Sequence, residues 1–127
     1  MSDMFCYQCQ QTAGNKGCVK VGVCGKQPDT ARLQDELVIA LIRLAEAVQE
    51  KGVRTRETDR LLIDGLFTTL TNVNFDNQAI QRVIDRAVEE RKKLEMKEIP
   101  VVDLFVGETD LVSLRSTLLF GMKGMAA

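Results

Sequence analysis

The stretch Leu33-Gln34-Asp35-Glu36-Leu37-Val38-Ile39-Ala40-Leu41-Ile42-Arg43-Leu44-Ala45-Glu46-Ala47-Val48 decides the fold. Leu33, Leu37, Ala40, Leu41, Leu44 and Val48 recur at steps of three and four, the spacing that puts them on one face of an α-helix. Pro28 with Asp29 or Thr30 can start this helix, and Gly52 after Lys51 can stop it. The same period continues downstream. A second helix is predicted over 58–71 with Leu61, Leu62, Leu66 and Leu70 inward, and Gly65 inside it calls for a closely packed neighbour. Asp76 is a good N-cap for a third helix through Leu94, whose inward face is Ile80, Val83, Ile84, Ala87 and Leu94. The β-branched run 99–106 has no partner strand and reads as an extended connector. Thr109 and Asp110 are expected to cap a last helix, with Leu111, Leu114, Leu118, Met122 and Met125 sharing one face. The expected architecture is all-α, a helical bundle over 29–127.

Upstream of that bundle the composition changes. Residues 1–28 form a head rich in Gly, Cys and Gln, and it contains every cysteine of the chain: Cys6, Cys9, Cys18 and Cys24, spaced C-x2-C-x8-C-x5-C. The chain has no histidine. Four thiols at one end, with no imidazole to share the work, point to a single all-cysteine metal centre. A C-x2-C turn brings two sulfurs to one point, and the glycine-bearing loop behind it can return the other two. Glycine lets the backbone come close to inorganic sulfide, often at positive φ, and its amides can donate to sulfur.

Charge agrees with that reading. A 4Fe-4S core ringed by four thiolates carries about −2 overall, and the head sets Lys16, Lys20 and Lys26 against Asp3 alone. These lysines read as solvated charges that moderate the cluster's field, with a docking patch for an acidic donor as the sharper alternative. Phe5 and Tyr7 flank the first ligands and either shield them or simply pack the loop. Gln8, Gln10 and Gln11 read as polar filler, with donation to sulfur as the alternative. Met122 and Met125 read as core or interdomain contacts.

From spacing alone, three other centres stay open. Structural zinc uses four cysteines, usually as two short knuckles, and would make the chain a zinc-stabilised helical protein-interaction module. Disulfides would need an exporting signal, and 1–14 holds no basic start followed by an apolar run. A 2Fe-2S centre has the same ligand count. The chain's 127 residues suit one domain, and its net charge of −1 offers nothing for nucleic acid or a membrane surface. No apolar run approaches the length of a membrane span, so a cytoplasmic protein is expected. Without histidine there is no Ser–His or Cys–His pair, and no glycine-rich phosphate loop is present. No catalytic residue is assigned.

Met4-Phe5-Cys6-Tyr7-Gln8-Cys9-Gln10-Gln11-Thr12, Gly17-Cys18 and Gly22-Val23-Cys24-Gly25-Lys26 together resemble the start of the hybrid-cluster (prismane) proteins, the hydroxylamine reductases. The likeness continues through Leu33-Gln34-Asp35, Thr69-Leu70-Thr71-Asn72-Val73-Asn74-Phe75-Asp76, Leu114-Arg115 and Gly121-Met122-Lys123-Gly124. The resemblance implies that Cys6, Cys9, Cys18 and Cys24 hold a 4Fe-4S cubane. It further implies an oxidoreductase in which this cluster relays electrons, from a redox donor protein, to a catalytic iron–sulfur–oxygen hybrid cluster. That second cluster needs a histidine, glutamates and more cysteines, so it belongs to remaining domains of a longer enzyme. An apolar stripe running to the last residues of the final helix also fits the front part of a longer protein, whose first domain is shortened between the third helix and Leu111.

Overall fold

The computed structural model of the chain describes residues 4–8, 14, 16–70, 73–94 and 104–127. Four helices follow one another: α1 (Pro28–Lys51), α2 (Arg56–Thr68), α3 (Asn77–Lys93) and α4 (Thr109–Ala126). Among the described residues there is no β-strand, and no helix is long and apolar enough to cross a membrane.

Each start and stop has a local cause. Pro28 opens α1 at a position where no intrahelical N–H is needed, with Gln27 as N-cap. Gly52 closes it at φ 65°, its N–H returning to the Gln49 and Val48 carbonyls. The second helix begins earlier than the periodicity alone indicates. Thr55 is its N-cap, and Thr58, expected as the first residue, is instead the N3 partner of a reciprocal capping box. Asp76 caps α3 as expected, accepting from the Gln78 and Ala79 N–H groups.

The core forms where α1 lies against α2 and α3. Leu37, Ala40, Leu41, Leu44 and Val48 of α1 close on Leu61 of α2 and on Ile80, Ile84 and Ala87 of α3, with Leu33, Leu62, Leu66, Val83 and Leu94 packed around them. Burying this apolar surface is the main force holding the helices together. Gly65 lies buried in α2, and a Cβ there would stand 2.7 Å from Leu41 Cδ1. Its missing side chain is what lets α2 close on α1. A polar latch ties the helix starts together: Asn77 Nδ2 donates to Asp29 Oδ2 (2.8 Å), Thr30 Oγ1 donates to Asn77 Oδ1 (2.6 Å), and Gln34 Nε2 donates to the Asn74 carbonyl (3.1 Å).

The last helix departs from expectation in cap and in register. Glu108, not Thr109 or Asp110, is its N-cap, with no side-chain cap bond. Among the helices it packs against α2, and it buries Leu119 and Lys123. Leu111, Leu114, Leu118, Met122 and Met125, expected to share a face, are exposed, Leu114 at 69% and Met125 at 89%. Apolar side chains surround this helix on most sides, so the repeat does not single out one packed face. An apolar cleft of about 320 Å³ opens between α1, α2 and α4, bordered by Val38, Leu41, Leu62, Leu66, Leu118 and Met122. Of the expected connector, 99–103 lies outside the described residues. Leu104 to Gly107 turn into α4.

Candidate metal centre

The head folds on itself through a few backbone bonds. Met4 N–H donates to the Val19 carbonyl (3.2 Å) and Cys6 N–H to the Cys18 carbonyl (3.0 Å), so the first and third cysteines lie on adjacent antiparallel runs. Cys18 is buried in a small apolar cluster with Met4 and Ala31, and Cys6 packs against it. Cys24 rides on a tight loop closed by Gly25 N–H to the Gly22 carbonyl and Gly22 N–H to the Lys26 carbonyl, both at 2.8 Å. Gly25 takes φ +89°, a conformation that suits only glycine.

Two donors in the head are directed at sulfur. Val23 N–H points at Cys18 Sγ (3.5 Å), and Lys26 Nζ stands 3.9 Å from Cys6 Sγ. A Cβ on Gly22 would sit 3.1 Å from Cys24 Sγ, so the glycine leaves the sulfur its room. Gly17 turns at φ +91° with the Phe5 ring against it. Cys18 and Cys24 are free thiols. Cys9, the fourth predicted ligand, lies outside the described residues, as do Gln10 and Gln11. Among the described residues no three ligand-type side chains close into a metal-ion nest by themselves.

Two head residues, Lys26 and Gln8, play parts that the sequence reading discounted, and the aromatic pair finds a partner. Lys26, expected among solvated charges, is buried, whereas Lys16 and Lys20 are exposed. Gln8, expected as filler, is buried: its amide nitrogen donates to Asp35 Oδ1 on α1, and its amide oxygen accepts from Lys123 Nζ on α4. Tyr7 stacks on Phe105 with ring centroids 4.0 Å apart and planes 16° apart, and Phe5 tilts against Tyr7 at 4.8 Å. Phe105 carried no signal beyond its aromatic character, since only the chain's return from α3 to α4 brings it to the head.

The geometry defines a class: a small helical bundle with a glycine-rich thiol loop, in which one sulfur is met by a backbone N–H and another by a buried ammonium. A profile of the Prismane/CO dehydrogenase family matches residues 4–127, and this chain belongs to that family. It is 42% identical to a hydroxylamine reductase of Syntrophobacter fumaroxidans, 44% to one of Solidesulfovibrio magneticus and 40% to one of Methanocella arvoryzae. Each alignment covers 98% of this chain but 29% of the relative, so the chain spans less than a third of the curated relatives it matches. The Syntrophobacter alignment runs over 158 residues against 127 here, so the relative carries extra residues within the matched span.

Proposed function

We propose that the head holds a 4Fe-4S cluster on Cys6, Cys9, Cys18 and Cys24, and that the chain serves as the electron-relay region of a hydroxylamine reductase-like oxidoreductase. The carrying observation is that the Val23 N–H meets the Cys18 sulfur and the buried Lys26 ammonium meets the Cys6 sulfur, in a chain of the prismane family. The donor set suits the group. Thiolates are its usual ligands, N–H donors to their sulfurs stabilise the electron-rich state, and the Gly22 gap gives the Cys24 sulfur clearance.

Bound there, such a cluster supplies reversible one-electron transfer. This chain's residues fix its ligands and its surroundings. The Met4–Val19 and Cys6–Cys18 backbone bonds hold two sulfurs in register, and the Gly22–Lys26 loop presents the Cys24 sulfur. Tyr7 of the head stacks on Phe105, which ties the first ligand turn to the segment that leads into α4. Reduction of hydroxylamine would take place on a hybrid cluster in the remaining domains of the full-length enzyme. The apolar α4 face and the cleft beside it suit contact with those domains, and the electrons come from a redox donor protein. A reducing, cytoplasmic compartment suits free thiols that bind iron.

Anaerobic incubation with iron and sulfide tests this. The expected product has broad visible absorbance that bleaches on reduction and an EPR signal in the reduced state. Stoichiometric zinc uptake with neither signal would instead support the reading as a zinc-stabilised interaction module. The chain alone is expected to show no hydroxylamine turnover with a reduced dye.

A further inference from the structure

We infer that Lys26 and Lys123, each 1% exposed, are the buried countercharges of the cysteine head, Lys26 acting directly on Cys6 and Lys123 through Gln8. The inference rests on the reading of the head as a cluster site and assigns residues that tune and hold it.

Lysine is almost never fully buried unless something compensates its charge. Here two of the largest fully buried side chains are lysines, and both run to the cysteine head. Lys26 Nζ meets Cys6 Sγ at 3.9 Å. A neutral thiol is a poor acceptor for a buried ammonium, whereas a thiolate bound to iron is a good one. Negative charge on the head would account for the burial of Lys26.

Lys123 reaches the same place from the other end of the chain. It is one of two buried residues on a helix whose other apolar side chains are largely exposed. Its ammonium donates to the Oε1 of Gln8, between ligand positions 6 and 9, while Gln8 Nε2 donates to Asp35 Oδ1. This chain of bonds orients the Gln8 amide and joins the head to both α1 and α4. Lys26 and Lys123 are thus positioning residues, one acting by charge at a ligand sulfur and the other by holding the ligand turn.

The sign of the electrostatic effect is fixed. An added electron makes the cluster more negative, so a neighbouring cation favours the reduced form and its removal favours the oxidised one. The experiment is a dye-mediated redox titration of the anaerobically reconstituted full chain as wild type, K26M, K26R, K123M and K123R. At a fixed ambient potential K26M is expected to show about a tenfold lower reduced-to-oxidised ratio, a midpoint about 59 mV lower for a one-electron couple. K123M should move the same way by a smaller factor, and both arginine variants should stay near wild type. Midpoints of K26M and K123M equal to wild type would overturn the inference with the cluster reading intact. If K26M takes up no cluster, K26R decides: uptake at the wild-type midpoint supports the charge, and loss in both variants overturns it.

A second measurement does not depend on the metal. In the metal-free chain, amide exchange over residues 17–26 is expected to quicken about tenfold in K123M and to recover in K123R. Unchanged exchange in K123M overturns the role of Lys123. Wild type that takes up no iron or sulfide defeats the functional reading instead, and the exchange result still bears on the lysine.

Discussion

Gly17 turns the chain at φ +91° with Phe5 Cζ only 2.9 Å from where a Cβ would stand. The position is closed to other residues twice over, by backbone conformation and by space. Gly17→Ala is expected to cost the head about 1–2 kcal/mol from the left-handed backbone alone, more if Phe5 cannot shift. Cluster uptake should fall while the helical circular dichroism stays, and an unchanged uptake curve would show that the turn has freedom the ring contact denies it. Cysteine ligands behave differently from this scaffold. Cys9→Ser should abolish or severely weaken cluster binding and leave most of the helix, because the core residues lie on α1, α2 and α3. Wholesale loss of helix in that variant would contradict an independent bundle. At this scale the spacing offered Cys6, Cys9, Cys18 and Cys24 as candidate ligands, while Lys26 and Gln8 were misjudged. A lysine in a polar loop looks solvated, and only the fold brings Lys123 and Asp35 from distant positions to Gln8.

Helix α1 was readable almost residue by residue, because its apolar stripe is packed on both α2 and α3 and ends at a glycine stop. Gly65 also announced its role: the close neighbour it called for is Leu41. Gly65→Ala gains about 1 kcal/mol of helix propensity but forces a Cβ to 2.7 Å from Leu41, an overpacking that costs about 1–3 kcal/mol. A lower urea midpoint is therefore expected, and a raised one would mean that Leu41 swings clear. The start of α2 was misplaced because a threonine can be cap or N3 partner, and only Thr55 and Thr58 together reveal the box. Thr55→Ala should cost about 1 kcal/mol, read as a fall in midpoint at constant slope. The α4 register could not be read from the repeat. Its apolar residues lie on several sides, and the face that packs includes a lysine, which a search for hydrophobic stripes passes over.

On the scale of the whole molecule, the joints between bundle and head among the described residues include the apolar contact of Met4 and Cys18 with Ala31, the Gln8 bridge, and the Tyr7–Phe105 stack. A metal that closes such a loop supplies much of its ordering energy. The helical core should therefore survive chelation while the head loosens. The family and the all-α class were legible from the cysteine spacing and the helical period. The buried lysines and the aromatic stack came only with the fold. Everything functional depends on one claim, that the head is an iron–sulfur site. Its most direct test is the iron and acid-labile sulfide content of chain purified without oxygen. The account predicts iron and sulfide in equal amounts, one cubane's worth per chain; a single zinc ion with no sulfide would contradict it.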